Sequence, residues 1–276
     1  MTYIITPSEL IKKLEKDETV VIDVRSDLNN PDSGYESYVK GHIPGAYFLH
    51  LEKDLSGKVE KHGGNHPLPN IDELAKKLGE IGIDHDTHVV IYDAENDMFA
   101  ARAWWLLYYL GHENVFLLEG GYKAWSEAGY KSVMDIPARK AKKFIPQLRP
   151  EVIANIEDVK RRDDKSVLID SRARDRYLGK TEPLYKKAGH IPGAKNYFWK
   201  DVLNGKGDWK KPETLKEHFV KLKDADEIIV SCGSGISACP NFIALKMAGY
   251  KNVKLYPGSF SDWISYEDNP VETKEE

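Results

Sequence analysis

Short runs of apolar residues alternate along the chain with longer segments that have the residue spacing of helices. Residues 20–22, 89–92 and 115–118 are short, uninterrupted apolar stretches and predict buried strands. Residues 100–110 form an apolar segment of helical length, and Thr6 and Ser8 before the string ELIKKLEK are helix-start signals. Strands that alternate with helices predict a parallel α/β sheet covered on both faces.

The same pattern is present twice along the chain. The string GHIPGA occupies residues 41–46 and again residues 189–194, and the related strings GHENV and GYKNV begin 138 positions apart, at Gly111 and Gly249. Repeated matches at similar spacings favour two copies of one domain in a chain of 276 residues. We predict a first domain over residues 1–135, a proline-containing linker over 136–150 and a second domain over 151–276.

Composition and charge narrow the class of protein. The chain is 41% hydrophobic and 30% charged, with a net charge of −4, which argues against a nucleic acid partner. The longest apolar run, residues 103–110, is far shorter than the roughly 20 residues of a membrane-spanning helix. Charged residues within the first twenty positions argue against a secretion signal. We therefore expect a cytoplasmic protein with no membrane partner.

The two copies differ where the strand before the long helix ends, which is where open α/β sheets bind ligands. The first copy has Asp93 at this point and the second has Cys232. The loop after the cysteine contains Gly233, Ser234, Gly235, Ile236 and Ser237. Such a turn can aim backbone N–H groups and the positive end of the next helix at the sulfur, which favours a nucleophilic thiolate. The hydroxyl groups of Ser234 and Ser237 can add further donors.

Only the copy with this cysteine has a strongly basic segment. Between Ser171 and His190, six basic residues and two acidic residues give a net charge of +4, whereas residues 24–42 of the first copy have a net charge of −1. The basic residues are Arg172, Arg174, Arg176, Lys180, Lys186 and Lys187. A small anionic substrate is the natural expectation, and an arginine is the side chain best suited to grip a carboxylate.

The remaining cysteine and the histidines favour structural interpretations. Cys239, Ile243 and Met247 form an apolar stripe at helical spacing, so we expect Cys239 to pack in the core. His42 and His190 occupy equivalent turns in the two copies, which favours a role in fixing the turn. Two close histidine pairs lack a third metal ligand nearby, so we expect no bound metal; these are His62 with His66 and His85 with His88.

These motifs resemble the rhodanese superfamily, specifically its tandem-domain sulfurtransferases, over nearly the whole chain. In that family a first domain with Asp in place of the nucleophile accompanies a catalytic second domain, and the resemblance implies a mostly parallel five-stranded sheet in each. The string CGSGIS at residues 232–237 is similar to the active loop of the 3-mercaptopyruvate type. Thiosulfate enzymes usually carry Arg and Lys after the cysteine. Thiosulfate nevertheless stays open as an alternative donor.

The resemblance also implies the chemistry and further site residues. Cys232 would take sulfur as a persulfide and pass it to a thiol such as thioredoxin or a small thiol, or to cyanide, with no metal or organic cofactor. Arg176 would bind the anionic group of the donor. The family's second arginine is absent, and we expect Lys186 to replace it. Ser234 would assist the reaction, and His42 would reach the donor from the first domain.

Two other classes of protein are weaker alternatives. Phosphatases that share this fold place an arginine six positions after the cysteine, where this chain has Ala238. A binding or sulfur-relay module without enzymatic activity is the second alternative. The intact loop around Cys232 and the presence of Arg176 argue against it.

Overall fold

The computed structural model describes residues 3–16 and 19–274, and contacts within the chain group them into two units. The first unit comprises the described residues up to Gly57, Leu68–Arg149 and Gly205–Trp209. The second comprises Lys58–Pro67, Pro150–Asn204 and the described residues from Lys210 onward. This division differs from the predicted boundaries in two short segments, 58–67 and 205–209, each of which belongs to the other unit.

The first unit is built on a parallel sheet of five strands with the order β1-β5-β4-β2-β3. The strands β1 to β5 are Ile4–Ile5, Thr19–Asp23, Ala46–Phe48, His88–Tyr92 and Val115–Leu118. The helices α1 to α5 are Pro7–Leu14, Ser33–Lys40, Ile71–Glu80, Met98–Tyr109 and Gly121–Glu127. All five residues of β2 are buried, as a strand covered on both faces requires.

Local signals explain where the first unit's helices begin. Helix α1 starts with the predicted cap: the Thr6 side chain accepts a hydrogen bond from the Glu9 backbone N–H, and the Glu9 carboxylate accepts one from the Thr6 N–H. The apolar helix predicted over residues 100–110 is α4, and its tryptophans Trp104 and Trp105 are fully buried.

No helix in the described part of the chain has both the length and the apolar character needed to cross a bilayer.

The second unit repeats this architecture with one strand fewer. Its parallel sheet has the order β7-β6-β8-β9. The strands β6 to β9 are Ser166–Asp170, Lys195–Asn196, Glu227–Ser231 and Val253–Leu255. The helices α6 to α10 are Ile156–Lys160, Arg174–Tyr177, Pro212–His218, Cys239–Met247 and Ser259–Trp263, and three short 3-10 helices are Pro150–Val152, Trp199–Val202 and Val220–Leu222.

The expected fifth strand of the second unit is reduced to a single bridge between Ile153 and Leu255. The reason is local. A 3-10 turn ends at Val152, and Asn155 already caps helix α6, with its side chain accepting bonds from the N–H groups of Glu157 and Asp158. Too few residues remain between turn and cap for a longer strand.

The segment predicted as a linker packs against the first unit. The Lys142 backbone N–H donates to the carbonyl of Gly79 at 2.9 Å, and the Phe144 side chain is buried. The prolines that suggested a linker instead accompany an extended segment that is held by the unit it follows.

The duplication is visible in matched side-chain contacts. In the first unit the Arg25 guanidinium pairs with Asp23 at 2.6 Å, and in the second Arg172 pairs with Asp170 at 2.6 Å. Each arginine also donates to the carbonyl of the glycine that opens the GHIPGA string, at 2.8 and 2.7 Å. In each unit this arginine links the end of the strand that carries the aspartate, β2 or β6, to the GHIPGA turn.

The histidine of each GHIPGA string has the predicted structural role. His42 places Nδ1 2.8 Å from the Tyr38 carbonyl and stacks on the Tyr38 ring at 4.0 Å. His190 places Nδ1 2.7 Å from the Tyr177 carbonyl and stacks on that ring at 3.8 Å. Both histidines are buried, so each fixes the turn of its own unit.

Candidate active site

The loop after β8 brings one backbone donor to the sulfur of Cys232, where the sequence predicts several. The backbone N–H of Gly235 donates to Cys232 Sγ at 3.1 Å, and helix α9 begins at Cys239. Gly235 has a φ of +82°, and a Cβ atom there would lie 2.2 Å from the Pro257 carbonyl oxygen. Only glycine fits this close approach, so the residue type is required for the N–H to reach the sulfur.

The loop is held from the opposite side by the start of helix α10. The backbone N–H of Phe260 donates to the Cys232 carbonyl at 3.0 Å. The Ser259 hydroxyl accepts a hydrogen bond from the Cys232 N–H at 3.1 Å and lies 3.9 Å from Sγ. The Ser259 hydroxyl donates its proton to the Tyr256 carbonyl at 2.8 Å, so Ser259 positions the backbone of the candidate nucleophile.

Ser259 was missed by sequence reasoning, although the repeat contains a signal. Ser259 has a φ of +52°, which is unusual for a residue other than glycine. The equivalent position of the first unit, 138 residues earlier, is Gly121, with a φ of +57°. A serine held in a glycine conformation, in the copy that carries the cysteine, indicates a functional constraint on that hydroxyl.

A second missed element is the segment Lys58–Pro67, which packs beside the loop. The Gly63 N–H donates to the Asp262 carboxylate at 2.7 Å, and the Asn65 N–H donates to the Ser261 hydroxyl at 3.1 Å. His66 then places its Nδ1 atom 2.7 Å from the Ser234 hydroxyl oxygen. The sequence signal for this segment is the string HGGNH, whose two histidines also suggest metal ligands.

Two arginines of the basic segment, Arg172 and Arg176, differ in side-chain exposure. Arg172 has a side chain only 1% exposed and is bound by Asp170 and Glu182. Burial acts to lower its pKa, but the charges of Asp170, Glu182 and Cys232 outweigh this effect and raise it. Arg176 is 22% exposed and uses Nε and Nη2 to bind Glu182. The net charge of +4 therefore overstates the free positive charge.

The other residues predicted in or near the site differ in burial and in side-chain partners. Ile236 is buried, and Ser237 is half-buried with no side-chain hydrogen bond among the described residues. Cys239 is buried and its thiol donates to the Gly235 carbonyl at 3.4 Å, which confirms its packed position. Lys186 is exposed, and among the described residues its side chain forms no hydrogen bond or ion pair.

The position of His42 contradicts its predicted role in donor binding. The ring is 0% exposed, and Nδ1 and Nε2 lie 2.8 and 3.1 Å from the carbonyl oxygens of Tyr38 and Asp135. A donor would find neither surface nor a ring nitrogen to contact. The histidine beside the loop is His66 instead.

The equivalent loop of the first unit carries a carboxylate in place of the thiol. The two oxygens of Asp93 accept hydrogen bonds from the backbone N–H groups of Asp97 and Ala100, both at 2.9 Å. Burial, together with the charge of Asp97, raises the pKa of Asp93 to about 7. This loop thus points its N–H groups at a carboxyl group of the chain itself.

Two α/β units, one with a cysteine whose sulfur accepts a hydrogen bond from a backbone N–H group, define a tandem rhodanese-like protein. The sequence model of the rhodanese-like domain family matches residues 6–128 and 153–266, and the chain belongs to the rhodanese family. It is 39% identical over 277 residues to a probable 3-mercaptopyruvate sulfurtransferase of Pseudomonas aeruginosa, covering 98% of each chain. It is 35% identical over 277 residues to a putative thiosulfate sulfurtransferase of Mycobacterium tuberculosis, covering 97% of this chain and 96% of the other.

A solved structure is similar over the same extent. The crystal structure of SseA of Escherichia coli, a 3-mercaptopyruvate sulfotransferase, superposes with a TM-score of 0.82 at 31% identity. The match covers 95% of this chain and 100% of that one.

Proposed function

We propose that this sulfurtransferase carries sulfur as a persulfide on Cys232, with 3-mercaptopyruvate as the preferred donor. The observation that carries the proposal is the hydrogen bond from the Gly235 N–H to Cys232 Sγ at 3.1 Å. A backbone donor aimed at sulfur stabilises a thiolate before attack and a persulfide anion after it. Relatives named for mercaptopyruvate and for thiosulfate support the class of activity.

In the first half-reaction, the Cys232 thiolate attacks the donor sulfur. The carbon–sulfur bond of mercaptopyruvate breaks, its electron pair leaves as the enolate of pyruvate, and the sulfur stays on the enzyme as a persulfide. The enolate then needs a proton on carbon to become pyruvate. We assign the supply of that proton to the Ser234 hydroxyl, which is two residues beyond the nucleophile and is hydrogen-bonded to His66.

In the second half-reaction, an acceptor attacks the outer sulfur of the persulfide. The sulfur–sulfur bond breaks and the Cys232 thiolate is regenerated. A small thiol or thioredoxin would leave as a persulfide, and cyanide would leave as thiocyanate. Both cysteines are free thiols, which suits a reducing compartment, and we place this chemistry in the cytoplasm.

Binding of the anionic donor is assigned to Arg176. Its guanidinium is partly exposed, whereas Arg172 is buried and committed to two carboxylates. We assign no donor-binding role to His42, because its ring is fully buried.

Thiosulfate is the second candidate donor, favoured by the 35% identical relative that carries that name. The same attack on its outer sulfur would release sulfite. Sulfite leaves with its electron pair on an already stable anion and takes up no proton on carbon. A proton from Ser234, assisted by His66, is therefore needed with mercaptopyruvate and is not needed with thiosulfate.

The test is mass spectrometry of the protein after incubation with each donor. We expect an addition of about 32 Da on Cys232, one sulfur atom. Cys232→Ser should abolish the adduct, because a hydroxyl is a poor nucleophile at neutral pH. The matched control is Cys239→Ser, which removes the buried thiol of helix α9 and should keep the adduct. An unmodified Cys232 with both donors would contradict the proposal.

A further inference from the structure

The Tyr185 side chain lies directly on the loop that holds the nucleophile. A Cβ atom at Gly233 would come within 2.7 Å of the Tyr185 hydroxyl oxygen, so the phenol occupies the space that a side chain there would fill. The Tyr185 ring also packs edge-on against Phe260, with ring centroids 5.9 Å apart. The hydroxyl is thus held beside the residue that follows Cys232.

The charges around this phenol favour its protonated form. Burial, followed by the negative charge of Cys232, raises the pKa of Tyr185. Arg176, a hydrogen bond with Ser234 and Arg172 act in the opposite direction without cancelling that effect. At neutral pH the hydroxyl is therefore a hydrogen-bond donor that lies beside Gly233, the residue after Cys232.

Arg176 has one nitrogen available to donate a hydrogen bond to a bound carboxylate, which has two oxygens. Its Nε and Nη2 atoms bind Glu182, at 3.2 and 2.8 Å, and within the described residues Nη1 has no hydrogen bond. The guanidinium carbon lies 5.4 Å from the centre of the Tyr185 ring. The Arg176 guanidinium and the Tyr185 ring are therefore neighbours, and each has one donor, Nη1 and the phenol hydroxyl, that it can offer to a small anion.

We infer that Tyr185 is a donor-binding residue, whose hydroxyl donates a hydrogen bond to the carboxylate of mercaptopyruvate beside Nη1 of Arg176. This inference rests on the proposed function. It gives Tyr185 the place that sequence reasoning gave to Lys186, its exposed neighbour. The donor's carboxylate would bind at Tyr185 and Arg176 while its sulfur meets Cys232.

The test is single-turnover persulfide formation in Tyr185→Phe, which keeps the ring and its packing and removes only the hydroxyl. We expect the half-saturating concentration of mercaptopyruvate to rise about tenfold or more, as for a lost hydrogen bond to a charged group. The rate at saturation should stay within about twofold, because the thiolate and its N–H donor are unchanged. The matched control is Tyr250→Phe, which loses a hydroxyl that donates to the Phe219 carbonyl, and its half-saturation should match the wild type.

Two results would overturn the inference. One is an unchanged half-saturating concentration in Tyr185→Phe. The other is a fall in the saturating rate alone, which would place the hydroxyl in the chemical step instead. Failure of the proposed function gives a distinct result, because the wild-type protein would then form no adduct at Cys232 at any donor concentration.

Discussion

The Nδ1 atom of His66 lies 2.7 Å from the hydroxyl oxygen of Ser234, although 168 positions separate the two residues along the chain. Ser234 stands two residues beyond Cys232, and its half-buried side chain faces the segment that carries His66. A proton can pass between an imidazole and a hydroxyl at this distance. The pair therefore links an imidazole ring to the loop that holds Cys232.

His66→Asn should separate the two donors. Asparagine keeps a hydrogen-bonding group near the position of Nδ1 but cannot relay a proton. Turnover of mercaptopyruvate should fall about 100-fold, in line with the loss of general acid catalysis. Turnover of thiosulfate should stay near the wild-type rate, because sulfite needs no proton on carbon. Steady-state assays with both donors check this, and Ser234→Ala should show the same selectivity. An equal loss with both donors would make His66 a purely structural residue.

Gly64→Ala should mimic the loss of His66. Gly64 has a φ of +83°, and a Cβ atom there would lie 2.5 Å from the Gly258 carbonyl oxygen, so the segment must move away from helix α10. Gly63 is the matched control, with a φ of +99° and open space around its Cβ position. Gly63→Ala should cost only the roughly 1–2 kcal/mol of a strained backbone. We expect mercaptopyruvate turnover to fall in Gly64→Ala and to persist in Gly63→Ala; equal activities would contradict the role of the segment.

Arg176→Ala should weaken the binding of either anionic donor. One charge-assisted hydrogen bond is worth about 1.5–3 kcal/mol, so the half-saturating concentration should rise about tenfold to 100-fold. Lys180→Ala is the control, since it removes the same charge from the same segment at a side chain that is 64% exposed. If both variants weakened binding equally, the positive field of the segment rather than a specific contact would be responsible.

Sequence reasoning succeeded where the signal is local. The glycines around Cys232 and the repeated GHIPGA string determine local backbone conformations that can be predicted from residues adjacent in the sequence. It failed where the fold brings distant residues together. Nothing near His66 indicates that residues 58–67 join the second unit, and the choice between Tyr185 and Lys186 depends on which side chain turns toward the loop.

Other misses were readable in principle from the repeat. The buried role of Arg172 follows from the Asp-x-Arg pattern that both copies share, because the same ion pair forms in each. Ser259 could have been found by asking which residue replaces Gly121 in the second copy. Comparison of the copies with each other identifies structural positions where they agree and functional positions where they differ.

The acid stability of the first unit should depend on His112. The ring is 0% exposed, and burial, together with the charge of His85, lowers its pKa from 6.5 to about 4. A folded-state pKa below the unfolded value means that the unfolded chain binds more protons as the pH falls. The contribution is therefore fully present above about pH 6.5 and is lost progressively toward pH 4, by up to about 3 kcal/mol.

His112→Phe removes this titration while keeping an aromatic ring beside Phe144. Denaturant unfolding of the wild type at pH 7 and pH 5 should show a marked loss of stability at the lower pH. The variant should show a smaller loss, and part of the dependence should remain, because burial also lowers the pKa of His88 to about 4. If the wild type and the variant lost the same stability between the two pH values, His112 would have to be protonated in the folded protein. Its buried site would then have to accommodate a charge, with Asp84 as the acidic group that acts on the ring.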